Sequence, residues 1–226
     1  MPVVAAPLRK QVIALLRSAI ISFEYEPGQR LVERELCERF EVSRTVIREV
    51  LRHLEAEGLI DLVPNRGPIV SIVSAADAAA LYEVRETLEA LAAACCAERS
   101  STTQKARLRK ALSVVATAYR KGELLDELAA KDEFYRILCE GAANPVIGSM
   151  LRTVQARVQM LRGLSLKTSG RPEESLAELE LVVAAIEKGD REAASKRAAE
   201  HVRSAGRVAL ERLHEIEEKE RAEAVR

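Results

Sequence analysis

The chain has 226 residues, with 35 Lys+Arg balanced by 35 Asp+Glu, 48% hydrophobic but only 3% aromatic residues, and no Trp. That length holds one large or two small domains, while 31% charged residues and no apolar run near ~18 residues argue against a membrane span. The first 73 residues carry ten basic and ten acidic side chains, so any nucleic-acid contact must come from local placement rather than bulk charge.

The opening MPVVAAPLRK lacks the apolar core of a signal peptide, and a cytoplasmic location is expected. Cys37, Cys95, Cys96 and Cys139 show no C-x-x-C spacing, so they are read as reduced thiols rather than a disulfide framework or zinc site. An excess of Ala, Leu, Glu and Arg over Gly and aromatics favours helix.

Residues 8–24 read as an amphipathic helix ended by Pro27-Gly28. A short helix at 33–40 and a third at 43–57 follow, the latter with Ser43 as N-cap, Val46, Ile47, Val50, Leu51 and Leu54 inward, and Gly58 beyond its end. Two helices joined by about three residues make a helix-turn-helix. Residues 59–63 and 69–73 flank Pro64-Asn65-Arg66-Gly67-Pro68 and read as a hairpin with a basic tip. From Ser74, a cap for a helix over 77–99, the pattern is helical only, with further helices at about 102–119, 123–142, 146–166, 173–188 and 190–219, six in all. The mixed-charge tail 211–226 reads as an exposed helix end that frays. The expected fold is mainly α: an N-terminal winged helix-turn-helix with a small β-hairpin (1–73), then an all-α helical bundle (74–226).

On the third helix Arg44 and Arg48 lie four apart on the face opposite the apolar residues, with Thr45 alongside and Arg52 a turn on. A guanidinium fork matches guanine O6/N7 or a phosphate, and Ser43 or Thr45 can bond a phosphate at the helix N-terminus. The bland alternative is a solvated charged face; Arg34 and the wing tip Asn65-Arg66-Gly67 favour DNA. The stretch PGQRLVERELCERFEVSRTVIREVLRHLEAEGLI with VPNRGPIV resembles the DNA-binding domain of GntR-type bacterial transcription regulators. The resemblance implies that Arg34, Ser43, Arg44, Thr45, Arg48 and Gly67 contact operator DNA, with Arg44 the chief base reader. Val46 stands where many relatives have proline.

The remainder resembles the FCD effector domain of the FadR subfamily, through EVRETLEALAA, DEFYRILCEGAANP, EESLAELELVVAAIEKGD and AAEHV. Many such domains hold a divalent metal with one Asp and three His. The corresponding positions are Lys131, Tyr135, Leu179 and His201, a set that cannot coordinate such an ion, so no metal and no cofactor are expected. A shifted site from Asp132, Glu133 and His201 is disfavoured because Asp132 lies about 100° around the helix from Lys131. Lys131, Tyr135 and His201 fall on helical stripes with apolar neighbours, as do Arg85 and Arg157, the latter on Met150, Val154, Arg157 and Leu161. Together they suggest a cavity with cationic donors suited to a carboxylate effector. Alternatively Arg85 pairs with Glu86 or Glu89, Lys131 reaches the surface, and His201 is a satisfied core histidine. Of Cys95-Cys96, one is expected to be packed.

The reading is a homodimeric, ligand-responsive regulator, a repressor of a catabolic operon that binds double-stranded operator DNA and a small carboxylate without a metal, with coupling through 74–77. A rival is a constitutive DNA-binding dimer whose helical domain only dimerises. Enzyme activity is disfavoured: no Ser/His/Asp or Cys/His arrangement, phosphate loop or metal cluster is present.

Overall fold

The computed structural model describes residues 5–224. The chain divides into two compact units, one running through Val73 and including Gln155–Met160, the other formed by Ser74–Val154 and the chain from Leu161 onward.

In the first unit α1 (Ala5–Ile21) and α2 (Glu33–Phe40) both pack against α3 (Arg44–Ala56). Helix α1 ends before residue 24 because Phe23 turns left-handed at φ 63°. Ser43 caps α3, its hydroxyl accepting from the Val46 N–H at 3.4 Å. Ile47, Val50, Leu51 and Leu54 are all buried beneath it, each contributing roughly 1.5–3 kcal/mol. Gly58, at φ 73°, carries the chain out of the helix. Strands β1 (Ile60–Val63) and β2 (Gly67–Val70) pair antiparallel, with Val63 opposite Gly67. The second strand therefore starts two residues earlier than the β-branched run suggests and stops at Val70. Its other edge is covered by residues 28–31: Gly28 N–H donates to Val70, Val70 N–H to Gln29 and Leu31 N–H to Pro68. The turn has Pro64 second and Asn65 third at φ 63°, closed by Arg66 N–H to Val63 O at 3.1 Å, the arrangement of a type II turn.

The second unit contains α4 (Ala75–Arg99), α5 (Thr102–Lys121), α6 (Leu124–Gly141), α7 (Pro145–Thr153), the later part of α8 (Gln155–Leu166), α9 (Arg171–Lys188) and α10 (Arg191–Ala224). Seven helices thus stand where six are expected, because Val154, at φ −109° and ψ 2°, breaks the 146–166 segment. Helix α10 stays helical to Ala224 through the mixed-charge tail. Helix α4 runs through the middle, packed by α6, α9 and α10, which buries six consecutive residues, Ala92 to Ala97. Cys95 and Cys96 are therefore both buried, where helical divergence alone leads one to expect only one. All four cysteines are unpaired thiols. Among the described residues no helix is long and apolar enough to cross a membrane.

Candidate DNA-reading face and buried polar site

The exposed side of the first unit carries the residues singled out for DNA. Ser43, Arg44, Thr45, Arg48 and Arg52 are exposed on or just before α3, and Arg34 is exposed on α2. The Ser43 oxygen is engaged as the cap, yet its O–H remains a donor for a phosphate. Asn65 and Arg66 are exposed at the wing tip. Gly67 adopts φ 85°, and a Cβ built on it meets no atom within 4 Å. Conformation, not internal crowding, calls for glycine there, and the missing side chain leaves backbone accessible. One relationship escaped the sequence reading: Arg48 Nε donates to both carboxylate oxygens of Glu33, at 3.0 and 3.1 Å, tying α3 to α2.

The second unit encloses a cluster of charged side chains. Arg85, Lys131, Arg162 and Arg171 are buried, with Glu89 and Glu127 as the buried carboxylates among the described residues. Arg85 Nε donates to Glu89 Oε1 at 3.0 Å, and Arg162 Nη2 lies 3.8 Å from the same oxygen while its Nη1 donates to Asp132 at 2.9 Å. The Arg162 guanidinium lies over the Tyr135 ring at 4.3 Å and that of Arg85 over Tyr82 at 4.7 Å. On the other side Arg171 forks onto Glu178 at 2.8 and 2.7 Å. Glu178 also meets His201 Nδ1 at 2.6 Å. Lys131 Nζ lies 3.2 Å from Ser175 Oγ and 3.5 Å from His201 Nε2, and Ser175 bonds Tyr119 at 3.1 Å.

The site thus brings together Arg85, Lys131, Tyr135 and His201, but not Arg157. Arg157 is exposed. The break at Val154 resets the helical phase, so Val158, Leu161 and Arg162 take the inward positions. Lys131, only 3% exposed, does not reach the surface, and Arg85 pairs with Glu89 rather than Glu86. Arg162, Arg171, Glu178 and Ser175 were not anticipated. The i, i+7 spacing of Arg171 and Glu178 is a usable signal, since α9 begins at Arg171 and not at 173, where the sequence pattern starts it.

Burial works against every charge here, and the partners decide the outcome. Burial raises the Glu89 carboxyl, but Arg85 and Arg162 more than offset it and hold it below the usual range. Burial, then Arg162 and Arg85, push the Lys131 amine well down. Burial pushes the Tyr135 phenol well up, so it stays neutral. His201 is driven down to about 4, first by burial and then by Lys131. A neutral His201 donates Nδ1–H to Glu178 and turns the bare Nε2 toward Lys131. Glu178 is lowered to about 2, burial opposing and hydrogen bonds from His201 and Arg171 prevailing; its ionic partner is Arg171.

Several polar atoms in this unit have no partner despite being buried, Arg85 Nη1, Arg162 Nε, Arg171 Nε and Thr168 Oγ1 among them, while the Tyr135 hydroxyl lies against Glu89 and that of Tyr82 against Arg85. Buried groups of this kind are ordinarily satisfied, so the cluster has capacity for further hydrogen bonds.

Sequence comparison agrees with this geometry. Residues 8–70 match the description "Bacterial regulatory proteins, gntR family" and residues 80–204 match "FCD domain". The chain belongs to the GntR family and carries an FCD domain. It is 27% identical over 196 residues to the HTH-type transcriptional repressor RspR of Escherichia coli, covering 87% of this chain and 86% of that protein. To the galactonate operon transcriptional repressor of E. coli it is 28% identical over 182 residues, covering 66% and 76%. The fold matches E. coli McbR/YncC, with a TM-score of 0.73, 22% identity and coverage of 87% and 94%. It equally matches a GntR transcriptional regulator of Rhodococcus, with a TM-score of 0.73, 24% identity and coverage of 89% and 97%. This GntR regulator is accordingly a DNA-binding transcription regulator rather than an enzyme.

The metal that many FCD domains hold does not fit this member. Lys131 stands at the carboxylate position, and its amine already faces the His201 nitrogen that would ligate an ion. Leu179, 1% exposed in the core, offers no donor. Among the described residues no three His, Cys, Asp or Glu side chains form a metal-holding group.

Proposed function

We propose that this GntR regulator is a homodimeric repressor of a catabolic operon that senses a small carboxylate without a metal. The observation that carries this reading is the pair of buried, unused guanidinium donors, Arg85 Nη1 and Arg162 Nε, beside Lys131 and His201, in a cluster whose arginines are otherwise paired with Glu89, Asp132 and Glu178. An anion taking those donors gains charge-assisted hydrogen bonds in a low-dielectric site. Tyr135 and His201 complete the effector contacts with Arg85 and Lys131. Relatives named as repressors support the direction of control. On DNA, Arg44 reads a base edge, Arg48 joins it in the major groove, Ser43, Thr45 and Arg34 position the helix on phosphates, and Asn65, Arg66 and Gly67 form the wing contact.

A second reading, a constitutive DNA-binding dimer with no effector, has one observation in its favour. Leu179 and Tyr135, at two positions that the FCD resemblance assigns to metal ligands, are both packed into the core, 1% and 8% exposed.

Thermal unfolding of metal-stripped protein decides between them, because a ligand that binds only the folded state raises the midpoint. A rise with a carboxylate and none with Zn²⁺, Ni²⁺ or Mn²⁺ supports the sensor. A rise with a divalent ion overturns the metal-free reading, and no rise with any carboxylate leaves the constitutive dimer.

A further inference from the structure

We propose that Lys131 is a modification site: its amine adds carbon dioxide to form a carbamate, passing a proton to His201 Nε2 and placing a new carboxylate among the guanidiniums of Arg85, Arg162 and Arg171. This anion is made on the chain itself, so it is independent of the free carboxylate proposed above.

Lys131 Nζ is buried, 3.2 Å from Ser175 Oγ and 3.5 Å from His201 Nε2. A neutral amine has two hydrogens and one lone pair. With its hydrogens directed at Ser175 and His201, the lone pair is left unengaged. Burial, then Arg162 and Arg85, favour this neutral form, the form that attacks an electrophile. Carbon dioxide is small and uncharged, so it escapes the desolvation cost that opposes entry of an ion into such a core.

In the step, the Lys131 nitrogen bonds to the carbon, one C=O electron pair moves onto oxygen, and a nitrogen hydrogen leaves along the contact with the bare His201 Nε2. The products are a carbamate anion and an imidazolium, so the net charge of the cluster is unchanged. Glu178, 2.6 Å from Nδ1, meets the imidazolium on its other side. Burial and then Lys131 hold the His201 ring down to about 4; a carbamate in place of the amine reverses the sign of that neighbour and favours the protonated ring. The same three arginines that bear on the amine each keep a buried N–H without a partner: Arg85 Nη1, Arg162 Nε and Arg171 Nε. A carboxylate on Lys131 offers them charge-assisted acceptors. A lysine that served packing alone would leave them bare.

The test uses the full-length protein, carrying nitrogen-15 at lysine Nζ, equilibrated with carbon-13 bicarbonate at about pH 8 and observed by carbon-13 NMR. Coupling between the two labels separates a lysine carbamate from one on the N-terminal amine. Lys131 is expected to carry at least about tenfold more carbamate than an exposed lysine, whose value near 10.4 keeps it protonated at that pH. The signal should vanish in Lys131→Met and on unfolding in urea at the same pH. His201→Gln should lower its intensity several-fold, and unchanged intensity removes His201 as the proton acceptor. Folded protein with no lysine carbamate signal at high bicarbonate overturns the proposal, as does a signal that persists in Lys131→Met. A rise in the unfolding midpoint with bicarbonate but without that signal means a bound anion and likewise overturns it. Should Lys131→Met not fold, loss of the signal on unfolding the unaltered protein still decides, because a carbamate on an exposed lysine does not depend on the fold. No other carboxylate is present, so failure here leaves the free-carboxylate reading standing.

Discussion

Glu33 on α2 holds Arg48 on α3 by its Nε alone, at 3.0 and 3.1 Å to the two carboxylate oxygens. This leaves the end-on pair of Nη donors for a groove, the pair that matches guanine or phosphate. Glu33 is thus placed to orient Arg48 rather than only to neutralise it. Glu33→Gln should lower affinity for the specific operator several-fold while slightly raising affinity for random DNA, since one negative charge near phosphate is gone. Competition titrations at fixed salt read the ratio. If the ratio of specific to random binding stays constant or rises, Glu33 masks Arg48 instead of positioning it.

The proposed roles of Arg44 as base reader and Arg34 as phosphate contact predict different losses. Both are exposed, but only Arg44 stands at the start of α3, the part of a recognition helix that contacts base edges in helix-turn-helix proteins. Arg44→Ala should cost about 1–3 kcal/mol on the operator and relax preference at one base pair, with random binding little changed. Arg34→Ala should weaken all sequences alike and reduce the salt slope by about one. Salt-dependent binding across single-base operator variants checks both, and unaltered base preference after Arg44→Ala removes it as the reader.

Much of this was legible in the sequence because local chemistry fixes it. Ser43 and Ser74 are capping residues and cap α3 and α4. Gly67 and Asn65 turn left-handed at the wing, where their residue types allow it. What the sequence hid depends on packing or phase. The break at Val154 carries no proline or glycine, so the 146–166 segment reads as one helix and Arg157 is credited with the inward position that Arg162 holds. The burial of both Cys95 and Cys96 follows from how many helices surround α4, which no periodicity encodes. Ion pairs such as Arg48–Glu33 join separate elements, and composition cannot choose among the available partners.

Lys131, one of the proposed effector contacts, is buried at the expense of stability. Its amine is buried at 3% exposure beside Arg162, Arg85 and Arg171, and burial together with these cations drives it well below its ordinary value. A base whose folded value lies below its unfolded one destabilises the fold at neutral pH, because the unfolded chain binds the proton more tightly. Lys131→Met keeps the length and removes that cost. It should raise the unfolding midpoint at pH 7 and abolish the carboxylate-induced rise. A lowered midpoint would mean that the bonds to Ser175 and His201 outweigh burial; a retained rise would remove Lys131 from the effector contacts.

His201 gives stability a specific pH dependence. It is buried and neutral, with a value of about 4 in the folded chain against 6.5 for the free side chain. Between those values the unfolded chain carries a proton that the folded chain refuses, so stability is full above pH 6.5 and falls as pH drops toward 4, by roughly 3 kcal/mol in total. Glu178, lowered to about 2, adds its own loss below pH 4.5 and overlaps only at the lower end. Replacing His201 with Gln keeps a donor for Glu178 while removing the titration, so urea unfolding should lose its slope between pH 6.5 and 4.5 and keep the steeper fall below. An unchanged slope in that window would show that His201 is protonated in the native protein, with Glu178 as its counter-ion.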